Sequence, residues 1–168
     1  VVIDVQRGGP STGQPTKAEQ GDLLTACFGS HGDAPKVVMA ASDIEDCFYS
    51  VITARRIAET FNTVVVLLTD AALATAQQPY PRPKLCEEWL APPFDQSPVQ
   101  DGYKAYDWDS RSGQRQRVIP GQPNGMHTLT GLAHDRTSNV AYNLKVNKEG
   151  IKHRSLKLAA LQKTIKTP

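Results

Sequence analysis

Seven residues near the amino end join a permanent positive charge to a glycine-rich turn: Arg7-Gly-Gly-Pro-Ser-Thr-Gly13. A guanidinium presents a planar fork of donors that fits a carboxylate or a phosphate through two parallel hydrogen bonds. Gly8 and Gly9 let backbone approach a ligand closely, and Ser11 and Thr12 can shape the turn or contact the ligand. The loop leaves a strand, Val1-Val-Ile-Asp-Val5, and leads towards a helix amino end. In open α/β sheets ligands sit at that carboxyl edge of the strands, and a helix amino end favours an anion. A phosphate loop does not fit. Gly8 and Gly13 have the spacing, but Gln14-Pro15 stands where Lys-Ser/Thr is required. Residue types alone leave two roles open, a ligand-binding loop or a plain Gly/Pro connection.

Other chemistry-bearing residues offer less. Asp70 closes an apolar run and could orient a ligand or cap a helix. His127, His134 and His153 share no metal-ligand spacing. Cys27, Cys47 and Cys86 are widely separated, with no CxxC pair, so neither a zinc site nor an iron–sulfur cluster held by this chain is expected. Such cysteine usage suits reduced thiols in a cytoplasmic protein. No nucleophile elbow or Ser–His–Asp order can be drawn, so no catalytic residue is assigned.

The elements that must position the loop follow from patterning. Apolar runs at Val1–Val5, Lys36–Ala41 and Thr63–Thr69 read as strands. They are continuous rather than alternating, which indicates parallel strands covered on both faces and joined by helical crossovers. Thr16 with Glu19, and Ser42 with Glu45, have capping-box spacing and predict helices over 17–28 and 43–61. In the second, Ile44, Cys47, Phe48, Val51, Ile52 and Phe61 fall on helical spacing and predict the buried face. Three strands and two helices are a partial sheet, and the chain reads as a fragment whose further strands precede Val1.

Composition sets the outer limits. Of 168 residues, 39% are apolar and 21% charged, an ordinary globular mixture. A net charge of +2 argues against a dedicated nucleic-acid binder, and no apolar run is long enough for a membrane span. Residues 1–78 carry 5 Lys/Arg and 9 Asp/Glu, whereas 79–168 carry 14 and 8, and eight of the 12 prolines lie between Pro79 and Pro123. Three segments result: an α/β part over 1–78, an aperiodic Pro- and aromatic-rich connection over 79–142, and a basic helix within 143–168, patterned from Asn147 to Thr164. The aromatics of the connection, among them Trp89, Tyr106 and Trp108, suggest an arm packed on another domain or subunit.

The string from Val2 to Leu23, Val-Ile-Asp-Val-Gln-Arg-Gly-Gly-Pro-Ser-Thr-Gly-Gln-Pro-Thr-Lys-Ala-Glu-Gln-Gly-Asp-Leu, resembles the alpha subunit of 2-oxoacid:ferredoxin (flavodoxin) oxidoreductases, in particular the 2-oxoglutarate type. The likeness continues through Phe28-Gly-Ser-His-Gly-Asp-Ala-Pro35, Asp46-Cys-Phe48 and Val65–Asp70, and more loosely through Pro120–Gly125 and Thr130–Asp135. Gln14 and Ala133 depart from the usual Leu and Glu.

The resemblance implies part of a domain that binds the pyrimidine ring of thiamine diphosphate, without the amino-terminal half that supplies the activating glutamate. It implies a beta subunit that shares the thiamine diphosphate and holds Mg2+ and a [4Fe-4S] cluster. It implies a reaction in which a 2-oxoacid loses carbon dioxide, coenzyme A accepts the acyl group and ferredoxin accepts the electrons. Arg7 matches the family arginine that meets the substrate carboxylate, with Gly8, Gly9, Ser11 and Thr12 in the same loop. Two other classes compete: a non-catalytic interaction module of the same fold, and a phosphate-binding α/β protein. Residues before Val1 separate the first of these from an enzyme, and Gln14-Pro15 disfavours the second.

Overall fold

The computed structural model describes residues 1–84 and 86–165; Leu85 and the last three residues of the predicted 143–168 segment lie outside the described residues. The described chain divides into two compact units, Val1–Pro92 and Pro93–Pro168.

The first unit is a three-stranded parallel sheet with helical crossovers. Strands β1 (Val2–Gln6), β2 (Val37–Ala40) and β3 (Val65–Asp70) lie in the order β1-β3-β2. β3 is the centre, and Val65, Leu67 and Leu68 are almost wholly buried. β1 is an edge strand, and Val2, Ile3 and Val5 are about half exposed. Continuous apolar character therefore marks burial on both faces only for β3 in this chain. The register pairs Gln6 with Asp70, so β1 and β3 end level.

Two helix readings change. The helix expected over 17–28 is only α1, Leu23–Phe28, and none of its residues is buried. The Thr16/Glu19 pair does not cap it: Lys17 O accepts from Gly8 N (2.7 Å), and Glu19 Oε2 accepts from Gly9 N (3.3 Å). Those groups fold the preceding loop instead. The second helix, α2 (Ile44–Phe61), is capped by Asp43, whose carboxylate accepts from Asp46 N at 2.9 Å, while Asp46 accepts from Ser42 N. The reciprocal cap is thus built from Asp43 and Asp46 rather than Ser42 and Glu45.

The buried face of α2 is Ser50, Ala54, Ile57 and Phe61, at spacings of four, three and four. Small Ser50 and Ala54 let the helix lie close on β3, and the Ser50 hydroxyl is satisfied by Asp46 Oδ1 at 3.1 Å. Phe48 and Val51, expected on that face, are more than two-fifths exposed. Asn62 ends the helix with φ 46°, the left-handed conformation that asparagine tolerates better than most residues. A short helix, α3 (Ala71–Thr75), follows β3 directly, and a 3-10 turn spans Glu87–Trp89.

The second unit is mostly irregular and closes on helix α4 (Leu144–Gln162), which starts about one turn before the predicted Asn147 because Asn143 caps it at Val146 N (3.0 Å). The aperiodic segment has packing of its own. Val99, Ala105, Tyr106 and Leu161 are buried. Gly113 (φ 66°) lies against the α4 backbone, where a Cβ would come within 2.6 Å of His153 O. Trp108 stacks on His153 with ring centroids 4.5 Å apart. No helix among the described residues is long and apolar enough to cross a membrane.

Candidate functional site

Arg7 is the first residue beyond β1, at the carboxyl edge of the sheet. The chain then makes a loop over residues 7–22 whose two ends meet beside the strand ends. Its interior is cross-linked by backbone: Gly8 N donates to Lys17 O (2.7 Å), Lys17 N to Gln14 O (3.0 Å) and Gly13 N to Pro10 O (2.7 Å). Compact loops with close ends, held by their own contacts, recur at functional sites.

The two adjacent glycines have different duties. A Cβ on buried Gly8 would stand 2.5 Å from Gln14 O, so the fold itself demands glycine. A Cβ on Gly9 would meet nothing within 4 Å. Internal packing therefore explains Gly8 and leaves an open backbone face at Gly9, next to Arg7.

Arg7 is exposed, and its Nη2 donates to Ser11 Oγ at 3.1 Å. Among the described residues it has no carboxylate partner. Ser11 orients the guanidinium without neutralising it, and Thr12 lies exposed on the same turn. A fork held by a neutral hydroxyl can receive an incoming anion without first displacing an acid.

The loop's return limb is fastened to the strand ends by side chains that sequence reading did not single out. Gln6 is only 5% exposed; its Oε1 accepts from Asp22 N at 3.0 Å and its Nε2 donates to Thr69 O at 3.3 Å. Gln20 Nε2 donates to Asp70 Oδ2 at 2.7 Å. The other Asp70 oxygen accepts from Leu73 N at 2.9 Å and caps α3. The Gln20 side chain and then the Leu73 amide hold the Asp70 carboxyl below the usual carboxylate range. Of the two roles open to Asp70 in the sequence, it takes the cap, and it fastens the loop as well. The position of Gln6 at the end of an apolar run was legible, but its burial was not. Gln20 carries no signal, because its partner lies 50 residues on.

The other sequence candidates are placed elsewhere. His127 and His134 each direct Nδ1 at the carbonyl two residues earlier, and both rings lie against Tyr106. His153 is bound by stacking on Trp108 and by Gly113 O. Burial pushes its pKa down to about 4, so it is a neutral packing residue at pH 7. No three His, Cys, Asp or Glu side chains gather into a metal-holding group among the described residues.

Comparison with known proteins bears on the family. Residues 1–148 match the family model described as pyruvate flavodoxin/ferredoxin oxidoreductase, thiamine diphosphate-binding. The chain is 40% identical over 145 residues to the 2-oxoglutarate oxidoreductase subunit KorA of Mycobacterium tuberculosis, covering 84% of this chain and 22% of that one. It is 39% identical over 142 residues to the alpha subunit of 2-oxoacid:ferredoxin oxidoreductase 2 of Aeropyrum pernix, covering 80% of this chain and 21% of the relative. The solved 2-oxoglutarate:ferredoxin oxidoreductase from Magnetococcus marinus, with 2-oxoglutarate, coenzyme A and succinyl-CoA bound, superposes with a TM-score of 0.86 at 34% identity, over 99% of this chain and 29% of that one. The chain thus spans about a fifth of the length of these curated relatives. With its three-stranded parallel sheet, its loop at the carboxyl edge and a match over 148 residues, the chain belongs to the thiamine diphosphate-binding family of pyruvate flavodoxin/ferredoxin oxidoreductases.

Proposed function

We propose that this chain is part of the alpha subunit of a thiamine diphosphate-dependent 2-oxoacid:ferredoxin oxidoreductase, 2-oxoglutarate being the favoured substrate, and that Arg7 grips the substrate's carboxylate. One observation carries this reading: a guanidinium at the carboxyl edge of the sheet, oriented by Ser11, without an acidic partner among the described residues, beside the open face of Gly9. Residues 1–78 are the carboxy-terminal part of the pyrimidine-binding domain. The connection over 79–142 and the helix within 143–168 lead onward from it.

The residues present fit an organic anion beside a cofactor. Gly9 gives backbone access, Arg7 gives charge and direction, and Gly8, Ser11 and Thr12 fix the turn between them. When bound, thiamine diphosphate supplies the nucleophilic carbon and the electron sink for decarboxylation. The task left to Arg7 is to hold the carboxylate in one orientation before it departs. The described residues do not fit Mg2+ or a [4Fe-4S] cluster, since no ligand set gathers among them. The family resemblance, rather than this absence, is what assigns both to a beta subunit, which shares the thiamine diphosphate. Coenzyme A as acyl acceptor and ferredoxin as electron acceptor complete the reaction. The relatives are named as subunits, which fits a shared site.

The test uses the full-length enzyme with its partner. A charged hydrogen bond contributes roughly 1.5–3 kcal/mol, and Arg7 can make two. Arg7→Ala is expected to lower kcat/KM for the 2-oxoacid by about one to four powers of ten with the melting temperature unchanged. Arg7→Lys should recover only part, because a point charge cannot reproduce the fork. A structural arginine would give the reverse: a lower melting temperature and ordinary kinetics on the folded fraction.

A further inference from the structure

We propose that Gln20 is a positioning residue for Arg7: its bond to Asp70 latches the return limb of the 7–22 loop to the end of β3 and so sets where the guanidinium stands.

The two limbs of the loop depend on each other. Arg7 begins the outgoing limb, and Gly8 and Gly9 follow it directly. Gly8 N is held by Lys17 O and Gly9 N by Glu19 Oε2, both groups on the returning limb. A displacement of residues 17–20 therefore moves the amides next to Arg7. The returning limb has two anchors on the strand ends. Gln6 takes Asp22 N at the base of the loop, and Gln20 reaches Asp70 two residues nearer the tip. Gln6 and Asp70 are register partners at the level ends of β1 and β3. The strand from which Arg7 emerges and the strand that holds the latch are therefore fixed relative to each other by the sheet.

The roles of the two anchors differ. Gln6 is buried and its carboxamide is bonded at both ends, so removing it strands polar groups in the fold. Gln20 has an exposed residue surface and one side-chain bond, to a carboxylate that keeps its other oxygen on Leu73 N. Losing Gln20 leaves the α3 cap and the sheet intact. Its removal is expected to act on the loop alone, which distinguishes a positioning residue from a structural one.

This inference rests on the assignment of Arg7 to the substrate carboxylate, and its test separates the two. In the full-length enzyme with its partner, Gln20→Ala is compared with Gln20→Glu, with the double variant Gln20→Glu/Asp70→Asn, and with Arg7→Ala. Gln20→Ala is expected to raise KM for 2-oxoglutarate and lower kcat/KM by about five- to thirty-fold, with melting temperature unchanged. Amide hydrogen exchange at Gly8, Gly9 and Lys17 should speed up. Gln20→Glu sets two carboxylates against each other and should be at least as impaired. The double variant reverses the polarity of the bond. The carboxamide oxygen introduced on β3 can still cap Leu73 N, while its amide donates to the carboxylate introduced on the loop, so activity and exchange protection should return. Unchanged kinetics and exchange in Gln20→Ala alongside a collapsed Arg7→Ala would overturn the latch and leave the Arg7 reading standing. Failure of the double variant to recover would equally overturn it. Near-normal kcat/KM in Arg7→Ala would overturn the Arg7 reading itself, and the latch with it.

Discussion

Arg7 of the first unit and three arginines of the second, Arg115, Arg117 and Arg136, are used in opposite ways. The three in the second unit make packing contacts. Arg136 pairs with Asp107, lies 4.0 Å from Glu149 and has its guanidinium 4.1 Å from the Trp108 ring centroid. Arg115 lies 4.9 Å from the centre of Tyr106 and donates to Ala105 O, and Arg117 lies over Phe94. These cations are surrounded by acids, rings and carbonyls that their own unit provides. Arg7 in the first unit is given one neutral hydroxyl. A fold that needs an arginine supplies its partners; one that presents an arginine to something else leaves the fork open and orients it.

The glycines of the loop sharpen this contrast and give the largest expected stability effect. Gly8→Ala forces a Cβ to within 2.5 Å of a backbone oxygen that is itself hydrogen-bonded, and should cost about 1–3 kcal/mol as the loop shifts. Gly9→Ala meets nothing in the chain and should leave the stability within about 0.5 kcal/mol of wild type. In the assembled enzyme the same methyl should weaken use of the 2-oxoacid, because it fills the face proposed for ligand approach. Thermal melts and steady-state kinetics on both variants check the pair, and equal stability losses would remove the distinction.

His153 gives the next effect, confined to the second unit. Its folded pKa of about 4 lies below its ordinary 6.5. The unfolded chain therefore binds a proton in that interval and the folded chain does not. Stability is complete above pH 6.5, falls progressively as pH drops towards 4, and is flat below that. Allowing for solvent screening of a partly exposed ring, the loss is about 1–2 kcal/mol. Urea unfolding across that interval, followed by Trp108 fluorescence, measures it, and His153→Phe should flatten the dependence.

The smallest effect belongs to Arg136. Its ion pairs are half exposed, so Arg136→Ala should lower stability by only about 1 kcal/mol, part of it from the lost stacking on Trp108. Kinetics of the full enzyme should not change. A kinetic defect without a stability defect would place Arg136 in the same class as Arg7.

How much of this was legible depended on whether the determining contact was local. The three strands and α2 follow from apolar runs and helical spacing, which act within a few residues. The loop was visible as Arg7–Gly13 because glycines and a charged residue follow a strand end. The helix expected at 17–28 failed for a reason outside any short window. Lys17 O and Glu19 are bonded to Gly8 and Gly9, and a residue committed to a loop does not serve a helix. The buried face of α2 was displaced for a related reason: Ser50 and Ala54 suit close approach to β3, which apolarity does not register. Gln20 was invisible because its partner Asp70 ends β3, 50 residues on. The division after Pro92, compared with the composition shift near Pro79, reflects Trp89 packing edge-on to Tyr49 of α2, a contact across 40 residues.

The claim that Arg7 receives the substrate carboxylate is tested most directly by chemical rescue. Full-length Arg7→Ala enzyme is titrated with 2-oxoglutarate alone, with added guanidinium, and with sodium chloride at matched ionic strength. The account predicts a kcat/KM at least about tenfold below wild type, partly restored by guanidinium and not by sodium, with the melting temperature of the variant unchanged. A wild-type kcat/KM in the unsupplemented variant would contradict it.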